Sequence, residues 1–290
     1  MVKSAAIALA CAAMAWLAVP WSSPAQACDL PAPEMGKVAT VLDGETLKLA
    51  DGRIVRLIGA KAPMPPLGWR GEDPWPLVDK AKEAVESLAL DRDIELRFGG
   101  SRLDRHGYLL AQVFVVSGAS RLWLQDELVG RGLARVYSLA DNRACVAELL
   151  ERERQARAKR LGVWGSSAYS IEDALDVQRL GRLIDSYQLV EGTVLNVGEG
   201  GGRVYLNFTK DWRSDFTVNI ERKDVAAFTK AGLDVKALAG KRIRVRGWLG
   251  WRNGPMIEAS HPEQIELLPG SDGGEEPLPR ARQRGASLRL

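Results

Sequence analysis

VLDGETLKLADGRIVRLIGAKAP, residues 41–63, decides the fold of the first half of this chain. Thr46-Leu47-Lys48-Leu49 and Arg53 to Ile58 are short apolar runs on either side of Asp51-Gly52, and Asp-Gly between two such runs is a tight hairpin signal. In Ile54-Val55-Arg56-Leu57-Ile58 every residue but one is aliphatic. The exception, Arg56, carries a guanidinium that cannot be deprotonated and is costly to bury alone. It needs a carboxylate partner, an anionic ligand or an escape to water.

Working outward, Lys37 to Val41 supplies the preceding strand, and a Pro-rich loop runs from Pro63 to Pro76. Val78, Ala81, Val85 and Leu88 then recur at helical spacing over Leu77–Leu90. Two further strands, Ile94–Phe98 and Tyr108–Val116, bracket Ser101 to Gly107. Helices near Leu122–Arg131 and Arg143–Leu161 follow, the second starting at an Asp141-Asn142 cap and stopping before Gly162. Strands first and helices last make a small barrel with helical packing the economical architecture, in the mainly β with α (α+β) class.

Val41 to Thr46, Val55 to Gly59 with Ala62-Pro63, Asp104 to Tyr108, Gly132 to Tyr137 and Gly162-Val163-Trp164 stand in the order and at the spacing of one family. Over roughly residues 36–165 the chain resembles the staphylococcal nuclease (thermonuclease-like) domain. The resemblance implies a five-stranded OB barrel with three helices and, in active members, calcium-dependent hydrolysis of DNA and RNA.

Such chemistry requires carboxylate oxygens for calcium, a group that activates water and guanidinium groups for the phosphate. By the resemblance, the first calcium carboxylate falls on Glu45 and the first phosphate-clamping arginine on Arg56, which would answer the question this residue raises. The second metal carboxylate falls on Lys61, the water-activating glutamate on Met64 and the second arginine on Tyr108. An ammonium repels calcium, and a thioether or a phenol replaces neither lost function. Glu72 and Asp73 could restore carboxylates, Arg102 or Arg105 a guanidinium; alternatively Glu45 and Arg56 simply pair with each other.

Residues 166–186 read as a linker with a short helix, Tyr169 to Asp185. A second strand-rich block, 187–268, follows: Gln188–Asn196, a glycine turn at 198–202, Val204–Phe208, Phe216–Ile220, a helix near Lys223–Ala231, Lys241–Trp248, an Asn253-Gly254 hairpin turn, Met256–Ala259 and Gln264–Leu268. That order is that of a second OB-like β-barrel. Within Lys241 to Trp248, strict alternation sets Ile243 and Val245 on one face and Arg242, Arg244 and Arg246 on the other. With Trp212, Trp248 and Trp251 the arginines suit the stacking and charge by which OB folds hold single strands. Alternation of this kind is also what any solvated strand shows, and residues 187–268 carry 12 basic against 10 acidic residues. His261, ahead of Pro262, reads as a capping or packing residue.

The ends of the chain bear on its location. Residues 1–27 hold a single charge, Lys3, an apolar stretch from Ala5 to Val19 and the triplet Ala25-Gln26-Ala27. That is the pattern of a secretory signal cleaved between Ala27 and Cys28, and it is short for a membrane span. Lipidation at Cys28 is the minor alternative, since the position three before it is Ala25. Loss of Cys11 with the signal leaves Cys28 and Cys145, an even count that reads as a disulfide in a secreted or periplasmic chain. The tail, residues 269–290, lacks apolar periodicity and is expected to be disordered, its arginines suiting an acidic partner.

The full chain carries +3 and the mature one +2, so nucleic-acid binding has to come from a local patch rather than the global field. The reading is a secreted thermonuclease-like protein whose first domain binds nucleic acid or protein without orthodox nuclease activity. No cofactor is expected unless the nuclease site is active, when calcium is. An active calcium-dependent nuclease with a rearranged site is the second reading, and an envelope scaffold the third.

Overall fold

The computed structural model describes residues 28, 30–67, 69–71, 74–211 and 213–270. The signal segment, the tail from residue 271, and Trp212, Glu72 and Asp73 therefore lie outside the described residues. The first half folds as β1 (Glu34–Asp43), β2 (Thr46–Leu49), β3 (Ile54–Leu57), β4 (Gly59–Lys61), α1 (Val78–Ala89), β5 (Asp93–Arg97), β6 (Leu109–Ser117), β7 (Ser120–Trp123), α2 (Leu124–Gly130), β8 (Arg135–Tyr137) and α3 (Val146–Ala158). Antiparallel pairings run β3-β2-β1-β5-β6, and β3 closes the ring by pairing in parallel with β6, Arg56 opposite Leu110. The result is a closed five-stranded barrel, filled by Val38, Leu47, Val55, Leu57, Ile94 and Val113 and sealed by Val85 of α1 and Leu128 of α2.

Gly59 turns the chain out of the barrel. Its φ of 95° is a left-handed value, and a Cβ there would lie 2.6 Å from Leu149 Cδ1, so only glycine fits. The redirected chain forms β4, which pairs with β8 so that Lys61 stands opposite Arg135. Gln125, fully buried, stitches the same corner: its carbonyl accepts from Val113 N–H while its amide donates to Ile58 O and Ala111 O.

Cys28 and Cys145 form a disulfide, 117 residues apart in sequence, beside buried Leu30 and Phe114. Cys145 has a φ of 67° and immediately precedes α3, which corrects the expected Asp141-Asn142 cap. Asn142 instead donates from its side-chain amide to Ser101 O.

The second half adds β9 (Glu172–Asp173), α4 (Val177–Gly181), β10 (Tyr187–Thr193), β11 (Asn196–Gly200), β12 (Arg203–Asn207), β13 (Thr217–Glu221), α5 (Arg222–Lys230), β14 (Arg242–Trp251), β15 (Pro255–Glu258) and β16 (Ile265–Leu267). Residues 166–186 are thus more than a linker, because β9 pairs in parallel with β10, and the helix within them is limited to α4 and a 3-10 turn at Ser167–Tyr169. The expected glycine turn shrinks to Gly201-Gly202, as β11 runs through Gly200. Pairings run β11-β12-β13-β15-β14-β10, with β13 and β15 parallel.

At Val194-Leu195 the first strand changes partners: Val194 N–H donates to Lys241 O and Leu195 N–H to Asn207 O. One bent strand, β10 and β11, therefore lines up with both ends of the sheet. This is the connectivity of the first barrel, again with a helix between the third and fourth strands. Leu206, Phe216, Val218, Ile243, Val245 and Phe228 of α5 form its core.

A candidate ligand cleft between the barrels

The Asp43-Gly44 turn fixes Glu45, whose amide donates to Asp43 Oδ1 at 2.8 Å. Its carboxylate is buried and fully engaged. Oε1 accepts from Lys61 Nζ at 2.6 Å and Oε2 from Ala62 N–H at 2.8 Å. Lys61, held on β4, is 8% exposed, and its ammonium also lies 5.6 Å from the ring centre of Trp248 on the second barrel.

Calcium takes six to eight oxygen ligands. Here the one carboxylate at the expected position already binds an ammonium, and among the described residues no three His, Cys, Asp or Glu side chains gather as a metal-holding group. The residues present do not fit calcium. Met64 is half-exposed and brings no proton acceptor to the loop.

Arg56 does not pair with Glu45. Its Nη1 donates to Asp104 Oδ2 at 3.0 Å, and its guanidinium carbon sits 5.4 Å from the ring centre of Tyr108, the residue standing where a second arginine was expected. Asp104 also accepts from the amides of His106 and Tyr108. Burial pushes this carboxyl up, but the two amides and the Arg56 charge outweigh it and hold it below the usual carboxylate range. With 36% of its side chain exposed, Arg56 combines two of the three solutions open to it, a carboxylate partner and access to water.

The arginine stripe faces inward instead of toward solvent. Arg242 and Arg244 both bind Glu191, and Arg244 Nη1 reaches Glu266 at 2.8 Å. Arg246, 2% exposed, donates to Glu153 Oε2 of α3 at 2.8 Å and to Val136 O. The physical reason is that Glu191 of β10 and Glu266 of β16, the strands paired on either side of β14, and Glu153 of α3 lie at this face, so each guanidinium is matched by a carboxylate. Further ties cross the same interface. Arg143 grips Glu263 with two nitrogens, Arg157 Nη2 binds Glu266 at 3.0 Å and Tyr187 Oη donates to Val136 O at 2.6 Å.

Trp248 follows the stripe on the same strand face but emerges at the interface edge, 45% exposed, with Tyr187 edge-on to it. Trp251, at the hairpin end, is 62% exposed. Between the barrels lies a cleft of about 1030 Å³, with Arg56, Arg105 and Tyr137 on one wall and Trp248, Met256 and His261 on the other. Ser138, at the end of β8, is a site residue that the sequence did not signal; its Oγ lies 2.7 Å from His261 Nε2. Of the expected site residues, the structure brings Arg56, Arg246 and Trp248 to one cleft and Lys61 and Glu45 to one buried pair.

Comparison with known proteins agrees with this geometry. An uncharacterized protein of Methanocaldococcus jannaschii is 28% identical over 151 residues, covering 46% of this chain and 72% of the relative. Residues 55–166 match the family described as staphylococcal nuclease homologue. The first barrel, with Arg56 kept at its cleft and an ammonium beside Glu45, is a staphylococcal nuclease-like domain.

Proposed function

We propose that this is a secreted, periplasmic nuclease-like protein that binds single-stranded nucleic acid in the cleft between its barrels without cutting it through calcium. The single observation that carries the reading is the buried Lys61–Glu45 pair: a fixed +1 charge stands beside the carboxylate that calcium would need. The ammonium neutralises Glu45 and offers no site for an activated water.

What remains suits binding. Arg56 offers a partly exposed guanidinium, and exposed Arg105 lies beside it at the cleft. Trp248 and Tyr137 provide ring faces on which bases stack, worth about 1–3 kcal/mol per base. The Cys28–Cys145 disulfide fits an oxidising compartment, and no helix among the described residues is long and apolar enough to cross a membrane.

The test is incubation of the mature protein with single-stranded DNA and RNA, with calcium and with chelator, reading cleavage and band retention from the same gels. Retention without cutting, weakened by Arg56→Ala and by Trp248→Ala, is the expected result. Calcium-dependent cutting that is lost in Arg56→Ala would instead establish a rearranged nuclease. Neither cutting nor retention would leave the scaffold reading.

A further inference from the structure

The cleft holds a hydrogen-bond chain that runs from Gln264 through Ser260 and His261 to Ser138. Gln264 Nε2 donates to two backbone carbonyls, Arg246 O and Glu258 O, each at 3.1 Å. Only its amide nitrogen can do so, which orients the amide and leaves Oε1 as the acceptor. Oε1 receives Ser260 N–H at 2.7 Å and the Ser260 hydroxyl at 3.3 Å.

Ser260 Oγ also lies 3.0 Å from His261 Nδ1, and it accepts there in the tautomer that carries the ring hydrogen on Nδ1. His261 Nε2 is then bare and accepts from Ser138 Oγ at 2.7 Å. A hydroxyl donating to a bare imidazole nitrogen whose other nitrogen is held by a third group is the arrangement that activates a serine. The two residues come from different barrels, 123 positions apart, and Ser138, Ser260, His261 and Gln264 all line the cleft.

We propose that Ser138 is a nucleophile and His261 its general base, and that the cleft hydrolyses small carboxylic esters or thioesters. Ser138 Oγ forms a bond to the carbonyl carbon as its proton passes to His261 Nε2. The bond to the leaving oxygen or sulfur breaks, and that atom takes the proton from Nε2. Water, deprotonated by the same nitrogen, then releases the carboxylic acid and restores Ser138.

The third group is a neutral hydroxyl rather than a carboxylate, so the imidazolium formed in the step is less stabilised. That restricts the chemistry to acyl groups with good leaving groups and disfavours amides. Leu139, Leu249 and Met256 in the lining suit a short apolar acyl chain. This activity does not depend on strand binding.

A fluorophosphonate reporter is the direct probe, since attack by Ser138 Oγ on phosphorus expels fluoride and leaves a mappable adduct. The mature, disulfide-bonded protein should be labelled at Ser138 and should turn over p-nitrophenyl acetate. Ser138→Ala should abolish both. His261→Gln keeps a polar partner for Ser138 but cannot take its proton, and should slow both by roughly 100-fold or more. Ser260→Ala, which frees the tautomer, should reduce the rate and leave the labelled residue unchanged. Circular dichroism and melting of each variant report the fold. An unlabelled Ser138 in the folded native protein, labelling of folded His261→Gln at the native rate, or labelling without ester turnover would each overturn the proposal.

Discussion

Arg246 Nη1 of the second barrel lies 2.8 Å from Glu153 Oε2 of the first, and the two side chains are 3% and 1% exposed. Glu153 also accepts from Val136 N–H at 2.7 Å, so one carboxylate serves the first barrel's own strand and the neighbouring barrel at once. Removing one partner of a buried pair costs up to about 3–5 kcal/mol, and here Arg157 Nη1, 3.5 Å from Glu153 Oε1, still offsets part of the remaining charge. Arg246→Met should lower stability by up to that amount, and adding Glu153→Leu should recover part of it while still losing the Val136 contact. Urea denaturation of the three proteins checks this; equal stability of the single variant and the native protein would contradict it.

The Lys61–Glu45 pair makes a prediction about calcium. The native protein's thermal midpoint should not move when calcium is added, because the ammonium already fills the carboxylate's coordination. Lys61→Asp sets a second carboxylate beside Glu45, which like-charge repulsion destabilises until a cation bridges them. Calcium at 100 times its dissociation constant would then restore about 2.7 kcal/mol, a rise of several degrees. Differential scanning fluorimetry with calcium and with chelator measures both proteins, and a calcium-dependent rise in the native one would contradict the Lys61 argument.

Much of this architecture is legible in the sequence because its signals are local. Asp51-Gly52 marks one hairpin, Asn253-Gly254 another, and the alternation of Arg242 to Trp248 gives the strand and its two faces. Alternation says which side chains share a face but not what covers it. Arg246 therefore reads as solvated, although α3 and Glu153 lie over it. β4 and β8 have three residues each, too few for a period-two pattern, so the β4–β8 sheet that positions Lys61 leaves no trace. Ser138 and His261 meet only because two barrels pack together, which no spacing within either half encodes. The family resemblance identified Lys61 as a departure from the pattern; only the structure shows that this ammonium neutralises Glu45.

The disulfide anchors Cys28, which precedes β1, to Cys145 at the start of α3. In the chain-entropy model, closing a loop of this length stabilises by about 3–5 kcal/mol. Cys28→Ser should cost about that much without changing the barrel signature in circular dichroism. Non-reducing peptide mapping should recover Cys28 joined to Cys145, and free thiols at both positions would reject the pairing.

His261 gives the stability a pH dependence. Burial pushes its imidazole down to about 4, against the opposing pull of Glu263 and with reinforcement from Arg143; the unfolded side chain titrates near about 6.5. Between these values the unfolded chain binds a proton that the folded chain refuses. The histidine's contribution is therefore complete above about pH 6.5 and is lost as the pH falls toward 4, by up to about 3 kcal/mol. Buried or paired carboxylates such as Asp104 and Glu266, held below their ordinary values, lose stability over a more acidic range. The difference between native protein and His261→Gln isolates the imidazole: from pH 7 to 4.5 the native protein should lose stability more steeply. Parallel slopes in urea denaturation would mean that His261 takes up its proton in the fold as readily as in the unfolded chain, and below about pH 6.5 its Nε2 could then not accept the Ser138 hydroxyl.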